Sequence, residues 1–265
     1  MKKFLSLIMT FIICSILIFF LDDSNPSLVS IACGIIATIF INTIIYLSNS
    51  TENMKLIFDT KIRFRNKYIR FSISYLFRIK IDGKYLLIKG DRIPQYQPIG
   101  GVFKRYGDSD EIFRKLGVLD DDKIPADNTN RDDLRIRVKG KMVLEFLNWF
   151  KNGHGREVSA EREFFEELIQ TGLLPKSVFP YLKYRFIKRE QEEIKYDEHF
   201  ECQQLLIAEI YELILDESQL SEIKKLTNLD NGICSLVTEG EISRLGASVD
   251  GKINTPIART AKWII

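Results

Sequence analysis

The sequence predicts an α+β protein in which a two-helix transmembrane hairpin precedes a soluble domain with a mixed sheet. Two observations lead to this prediction. The first 50 of the 265 residues contain only four charged side chains, Lys2, Lys3, Asp22 and Asp23. From about residue 60 onward, strand and helix patterns mix without the regular alternation of βαβ units. The net charge of +2 gives no reason to expect binding of polymeric DNA or RNA.

The predicted hairpin rests on two apolar segments, residues 4–21 and 28–47, which contain no charged side chain. Each is long enough to cross a bilayer as a helix. Basic residues flank the pair on both outer sides and are missing from the turn at 22–27, so both termini are expected in the cytoplasm. The predicted organisation is a hairpin at 1–47, a connector at 48–59 and a soluble domain at 60–265.

The second apolar segment carries small or polar residues at every fourth position: Ser30, Gly34, Thr38 and Asn42. On a helix they share one face. Helices in lipid associate through close contact at small residues and through interhelical hydrogen bonds, so this face is a predicted packing surface. It either pairs the two helices within one hairpin or joins hairpins of neighbouring protomers into a homo-oligomer.

Patterns in the soluble part predict the order of its elements. Alternating apolar residues indicate a strand at 70–81, and Asp82-Gly83 is a tight hairpin turn before a partner strand at 85–88. An insertion is expected at 107–133. Further strands are expected at 96–103, 134–138, 181–188 and 200–215, and helices at 109–116, 142–150, 160–171 and 217–226. Gly172 is expected to cap the third of these helices, and Thr238 with Glu241 to form a capping box.

The residues most suggestive of chemistry are Glu163, Glu166 and Glu167, which stand at i, i+3 and i+4 on the helix predicted at 160–171. Carboxylates gathered on one side of a helix repel one another unless a cation lies between them, and Mg²⁺ prefers such oxygen ligands. Arg162 is placed to hold one of them. Taken alone, the same spacing also fits an acidic helix face exposed to solvent.

Residues 162–167, Arg-Glu-Phe-Phe-Glu-Glu, resemble the core of the Nudix box, G-x5-E-x7-R-E-U-x-E-E-x-G-U, in which U is apolar. The preceding Gln97-Pro98-Ile99-Gly100-Gly101 resembles the glycine strand of that family. The resemblance implies an α/β/α sandwich in which the box glutamates, and a backbone carbonyl of the glycine strand, bind Mg²⁺. The spacing departs from the pattern, because His154 stands where the upstream glutamate belongs and Gly172 comes late.

A narrower resemblance extends over essentially the whole chain. Segments 133–138, 146–150, 156–157 and 162–164 are similar to the SMODS-associated Nudix domains, which occur beside cyclic-nucleotide synthases of the CD-NTase class in bacterial CBASS anti-phage operons. One branch of that family follows two transmembrane helices. The resemblance implies an effector that senses a cyclic oligonucleotide and then disrupts the inner membrane, killing the infected cell.

The two resemblances leave two functions open. The altered spacing favours a domain that binds nucleotide without catalysis, whereas the intact core keeps open a membrane-anchored Mg²⁺-dependent pyrophosphohydrolase acting on a nucleoside-diphosphate-linked metabolite. Glu163, Glu166 and Glu167 are the candidate metal ligands, and the catalytic residues if hydrolysis occurs. Nucleotide binding is assigned to Arg92, Gly100, Gly101, Lys104 and Arg105.

The predicted topology is testable by cysteine labelling. A cysteine at Ser24, in the external turn, is expected to react with a membrane-impermeant thiol reagent in intact cells, because basic residues retain both ends inside. A cysteine at Asn49 is the matched control and is expected to be protected. Protection at position 24 with labelling at position 49 would reverse the orientation.

Overall fold

The computed structural model of the protein describes residues 34, 36–38, 54–90, 93–124, 130–228, 232–248, 251–253 and 255–265. Contacts divide the chain into two units, Met1–Ile62 and Arg63–Ile265. Within the described residues, none of the helices has the length and apolar character needed to cross a membrane. Most of the predicted hairpin, including Ser30 and Asn42, lies outside the described residues, so the transmembrane topology stays a prediction.

Part of the first unit is described. Gly34 and residues 36–38 are helical, and the Thr38 hydroxyl donates a hydrogen bond to the Gly34 carbonyl oxygen over 2.8 Å. This is the i to i−4 bond typical of a threonine within a helix. Residues 54–58, in the predicted connector, are also helical and continue into a π-helical turn at Asp59–Arg63.

The second unit is a mixed α+β domain whose described strands form two sheets. The strands are β1 Tyr68–Arg78, β2 Lys80–Ile81, β3 Lys84–Lys89, β4 Tyr96–Gln97, β5 Gly100–Val102, β6 Leu119–Asp120, β7 Arg135–Lys139, β8 Tyr184–Gln191, β9 Lys195–Asp197, β10 Cys202–Leu213 and β11 Cys234–Val237. The α-helices are α1 Asp110–Leu116, α2 Val143–Asn152, α3 Glu161–Phe164, α4 Glu217–Asn228 and α5 Glu239–Ser243. A π-helical turn, Phe165–Ile169, continues α3, and 3-10 turns lie at Gly107–Ser109, Gly140–Met142 and Arg259–Ile264.

The large sheet has the strand order β6-β7-β1-β10-β8, with β5 paired to the second half of β1 and β9 paired to the start of β10. The central strands β1 and β10 are parallel, whereas the other described pairs in this sheet are antiparallel. The sheet is therefore mixed. The small sheet has the order β11-β3-β2, and β4 pairs with one end of β3.

The core follows from the alternation of side chains along β1. Phe71, Tyr75 and Phe77 lie on one face of the large sheet and are fully buried. Helices α2 and α3 cover this face with aromatic rings: Phe71 meets Phe146 with ring centroids 5.2 Å apart, and Phe77 meets Phe164 at 5.9 Å. Edge-to-face packing of this kind adds to the free energy gained by burial and fixes the position of α3 on the sheet.

A second hydrophobic cluster covers part of the opposite face. Leu76 of β1 and Ile210 of β10 pack with residues of the small sheet and of the C-terminal 3-10 turn. The cluster comprises Leu76, Tyr85, Leu87, Ala208, Ile210, Val237, Ile242, Ile257, Ala261 and Ile264. The large sheet is consequently buried on both faces along the second half of its central strands.

Local signals predicted several elements correctly. Asp82 and Gly83 adopt positive φ angles in the turn between β2 and β3, and the capping box of Thr238 and Glu241 forms at the start of α5. Gly172, with φ +75, follows the π-helical turn and donates its N–H to the Ile169 carbonyl oxygen over 3.1 Å. These features depend on residues close in sequence, which is why sequence patterns identify them.

Strand pairing differed from the prediction in two places. The strand predicted at 70–81 divides after Arg78, so that β1 pairs in the large sheet while β2 alone continues into the hairpin. The strand predicted at 96–103 also divides, into β4 of the small sheet and β5 of the large one. In both cases a continuous apolar pattern passes from one sheet to the other, because each half is buried by a different partner. Strands β6, β9 and β11 were not predicted.

The predicted insertion contains α1 and the edge strand β6. Asp121, directly after β6, forms a buried ion pair with Arg70 of β1. The Arg70 guanidinium donates to Asp121 Oδ2 from both Nε (2.9 Å) and Nη2 (2.7 Å), and both side chains are 3% exposed. Arg70 also bonds Gln204 and lies 3.9 Å from the centre of the Phe200 ring. This contact attaches the insertion to the large sheet.

The ion pair predicts a strongly non-additive pair of mutations. Arg70→Met is expected to lower the free energy of unfolding by about 3–5 kcal/mol, because Asp121 is left buried without its cation. The double variant Arg70→Met/Asp121→Leu is expected to recover much of that loss, since it removes the unpaired charge as well. Urea unfolding of the two single variants and the double variant measures the coupling. Simple additivity of the three values would contradict this account.

Candidate functional site

The candidate site lies where β5 meets the acidic helix, defined as residues 161–169. Strand β5 pairs antiparallel with β1, placing Gly100 opposite Leu76 and Gly101 opposite Tyr75. A Cβ atom at Gly100 (φ +150) would overlap the Tyr75 carbonyl oxygen, and one at Gly101 would overlap the Glu163 carboxylate. Gly100 therefore requires glycine, because its neighbour is main chain, whereas a side chain at position 101 would force the Glu163 carboxylate to move.

The acidic helix packs through Phe164 and Leu168, which are buried, while Glu166 on the opposite side is exposed. Its first half is α-helical and its second half is π-helical, with the Gln170 N–H bonded to the Phe165 carbonyl oxygen over 2.8 Å. The wider π turn changes the angle between successive side chains. Glu163 belongs to the α-helical half, and Glu166 and Glu167 belong to the π-helical half.

Arg162 lies at the centre of the carboxylates. Its Nη1 donates to Glu163 Oε1 over 2.6 Å and to Glu166 Oε2 over 3.1 Å. Its Nε and Nη2 donate to the two carboxylate oxygens of Glu157 over 3.1 and 3.3 Å, and Nη2 also donates to the Val102 carbonyl oxygen over 2.9 Å. One side chain thus connects the acidic helix to β5 and to the segment that contains Glu157.

Glu157 is a site residue to which the sequence analysis gave no role. It is 7% exposed, and it exchanges two hydrogen bonds with Lys104: the Glu157 N–H donates to the Lys104 carbonyl oxygen (2.8 Å), and the Lys104 N–H donates to Glu157 Oε2 (3.2 Å). The distance in sequence between Glu157 and Arg162 did not indicate this role. The Nudix pattern places its upstream glutamate eight residues before the arginine, whereas Glu157 stands five before. The sequence signal that could have identified Glu157 is the adjacent Arg156-Glu157 pair.

Arg156 holds the main chain of Glu157 in place. Its Nε donates to the Phe150 carbonyl oxygen over 2.7 Å, and its Nη1 donates to the Glu157 carbonyl oxygen over 2.6 Å. The guanidinium lies 3.8 Å from the centre of the Phe150 ring. Burial lowers the pKa of Arg156 from its usual value, although neighbouring acidic groups oppose the shift. The residue acts on the site through the main chain of Glu157.

Two further buried polar groups adjoin the site. The Tyr75 hydroxyl accepts the Glu163 N–H over 3.2 Å, and burial raises the pKa of Tyr75 above its usual range. Glu209 of β10, in register with Tyr75, is 5% exposed and accepts hydrogen bonds from Arg189 (2.5 Å) and from the Tyr211 hydroxyl (2.7 Å). Glu209 is therefore a buried carboxylate whose hydrogen bonds come from one arginine and one tyrosine.

A comparison with protein-family models identifies the domain. The model described as SMODS-associated NUDIX domain matches residues 68–265. This protein belongs to the SMODS-associated Nudix domain family. The match covers both sheets and the whole candidate site. Searches of curated proteins and of solved structures found no significant match.

Nudix domains generally use a divalent metal. The question for this domain is whether the carboxylates around Arg162 could hold Mg²⁺. Glu157, Glu163 and Glu166 all direct an oxygen at the Arg162 guanidinium. Over the described residues, no group of three Asp, Glu, His or Cys side chains is arranged to hold a metal ion. Glu167, the third predicted ligand, is half-buried on the same helix. As placed, these donors do not fit a divalent cation.

Four of the five predicted nucleotide-binding residues, Gly100, Gly101, Lys104 and Arg105, lie in β5 or directly after it. Arg92 lies outside the described residues. Lys104 follows β5 and holds Glu157 through its main chain, whereas Arg105 pairs with Asp120 over 3.2 Å and lies 5.3 Å from the centre of the Phe113 ring. Gly100 and Gly101 are covered by Tyr75 and Glu163. The assignment of nucleotide binding to these residues stays a prediction.

Asp133 adds an acidic group that sequence patterns did not single out. It pairs as an isolated β-bridge with Lys104, and its Oδ2 lies 2.5 Å from Arg135 Nη1. Burial raises the pKa of Asp133 from 3.8 to about 6, and the nearby charge of Arg135 offsets only part of that effect. Lys104 and Arg162 act in the same direction as Arg135, and Glu163 acts against them.

The raised pKa of Asp133 predicts a pH dependence of stability with a definite sign. The folded state binds this proton more tightly than the unfolded state, so the contribution of Asp133 falls as pH rises from about 4 to about 6, by roughly 2–3 kcal/mol. Asp133→Asn is expected to remove that fall, so its stability relative to the wild type increases across this window. Urea unfolding at intervals between pH 4 and 7 measures the difference. A constant difference between the two proteins would show that Asp133 does not titrate there.

Proposed function

We propose that the protein is a CBASS effector whose Nudix domain senses a cyclic oligonucleotide made by a CD-NTase during phage infection. The observation that carries the proposal is the family match over residues 68–265. The predicted hairpin at 1–47 then supplies the output, because ligand-driven assembly of hairpins in the inner membrane would disrupt it and kill the cell. The partners are the cyclic nucleotide, membrane lipid and further copies of the chain.

The charges around the acidic helix favour binding over hydrolysis. A phosphate that approached Glu163 and Glu166 directly would meet like charge, and the cation among them is a side chain of the protein itself. The ligand phosphates are therefore assigned to basic residues that lie close to the glycine strand in the sequence, among them Arg92, Lys104 and Arg105. The alternative remains the pyrophosphohydrolase, which the intact Arg-Glu-Phe-Phe-Glu-Glu core favours.

Ligand binding is tested on the full chain in detergent or nanodiscs. A cyclic dinucleotide or trinucleotide is expected to raise the melting temperature with the logarithm of its concentration above Kd, because binding to the folded state alone stabilises by about 2.7 kcal/mol at 100 times Kd. Linear dinucleotides of the same composition are the control. If a panel of cyclic adenine and guanine oligonucleotides gives no shift beyond the linear controls, the sensing proposal fails.

The double variant Glu166→Gln/Glu167→Gln separates sensor from enzyme. In cells that produce the cyclic nucleotide, a sensor is expected to remain toxic with these changes, because neither residue is assigned to the ligand. Mass spectrometry of the incubated ligand is the second measurement, and a sensor returns it intact. Loss of toxicity together with loss of Mg²⁺-dependent ligand cleavage would establish the hydrolase instead.

A further inference from the structure

The connector helix, defined as residues 54–62 of the first unit, exposes large apolar side chains. Four of them are between 45% and 66% exposed: Met54, Ile57, Phe58 and Ile62. Side chains of this kind are ordinarily buried, and a group of them at the surface marks a place where another molecule or a membrane is bound. The connector helix is therefore a candidate binding surface.

The exposed side chains share one face of the connector helix. Positions 54, 57 and 58 stand at i, i+3 and i+4, and position 62 follows position 58 by one further turn. On the other side Leu56 and Thr60 are buried, and the Thr60 hydroxyl donates to the Leu56 carbonyl oxygen over 2.7 Å. The exposure consequently follows the helix period, because one face is covered and the apolar face is exposed.

Basic residues accompany the apolar face. Residues 54–67 contain five of them: Lys55, Lys61, Arg63, Arg65 and Lys67. The only acidic residue in that stretch is Asp59, which is buried. A helix with an apolar face and adjoining lysines has the composition of helices that lie in the interface of an anionic bilayer. Their apolar side chains enter the acyl boundary and their ammonium groups meet the lipid phosphates.

The position of the connector helix in the chain favours a lipid surface over a soluble partner. The second predicted span ends at residue 47, and Met54 follows seven positions later. Even a fully extended chain of seven residues covers at most about 25 Å. The start of the connector helix would therefore stay within that distance of the predicted span in any conformation, and the membrane is its nearest large apolar surface.

We infer that the connector helix lies in the membrane interface, with its apolar face against the acyl chains and its lysines among anionic lipid headgroups. The long stems of Lys55 and Lys61 can lie along the apolar face while their amines reach the phosphates. The proposed function assigns membrane contact to the hairpin at 1–47 alone, so the connector helix is a further lipid-binding surface. The inference does not rest on nucleotide sensing.

Photo-crosslinking tests the inference on the full chain in nanodiscs of mixed phosphatidylcholine and phosphatidylglycerol. Phe58→p-benzoylphenylalanine keeps an aromatic side chain at an exposed position, so the variant is expected to fold. On irradiation it is expected to form phospholipid adducts, which mass spectrometry detects, and Ile62→p-benzoylphenylalanine is expected to do the same. The matched control is Tyr196→p-benzoylphenylalanine. Tyr196 of β9 is an aromatic residue of similar exposure, and only a background yield of adduct is expected there.

The charge dependence of crosslinking identifies the lipid class. Combined with the crosslinker at position 58, Lys55→Gln/Lys61→Gln is expected to lower the adduct yield in mixed nanodiscs. The loss is up to about fivefold for each lysine, since a basic group near an anionic surface strengthens binding by about that factor. Lys151→Gln/Lys176→Gln, which removes two exposed lysines of the second unit, is the charge-matched control and is expected to leave the yield unchanged. Nanodiscs of phosphatidylcholine alone are expected to reproduce the loss.

Three results would overturn the inference: no more lipid adduct at positions 58 and 62 than at position 196, adducts to a second copy of the chain in place of lipid, or equal lipid yields in the two kinds of nanodisc. Cysteine labelling at position 24 tests the hairpin separately, so failure of the hairpin and failure of the connector surface are distinguishable. No nucleotide enters these measurements, so the result is independent of whether the protein senses one.

Discussion

The hydrogen bonds of the Arg162 guanidinium join three parts of the domain that are distant in sequence or differ in conformation: the acidic helix, strand β5 and the extended segment around Glu157. The Glu163 carboxylate lies against Gly101, where a side chain would displace it, and Glu157 is held by the main chain that continues β5. The geometry of the candidate site thus depends on one cation surrounded by oxygen atoms.

The hydrophobic core explains how that cation can be held in place. The acidic helix rests on the sheet through Phe164, which meets Phe77, and Arg156 lies against Phe150 of α2 while it fixes the main chain of Glu157. Aromatic packing positions the backbone, and the charged groups then bond at its surface. Charges in such a partly buried position are satisfied because their partners come from elements already fixed by the core.

The sequence predicted those features that depend on neighbours along the chain. The hairpin turn at Asp82-Gly83, the capping box at Thr238 and the Arg162–Glu163 core all follow from short motifs. Parallel pairing of β1 with β10 joins residues more than 130 positions apart, such as Arg70 with Gln204, and no local pattern records it. Glu157 was missed for a related reason. The segment around Glu157 is extended, and an extended chain advances farther per residue than a helix, so a glutamate only five residues before Arg162 can reach it.

The same interaction constrains where a nucleotide can bind. The carboxylates of Glu157, Glu163 and Glu166 outnumber the one guanidinium they share, and Glu166 carries part of the negative charge at the surface. A nucleotide phosphate approaching there would meet repulsion, whereas in a metal-bound site the cation would bridge phosphate and carboxylate. Under the proposed function, the ligand phosphates would therefore contact basic side chains rather than Glu163 and Glu166. In that proposal, the acidic helix supports the fold of the domain and does not contact the ligand.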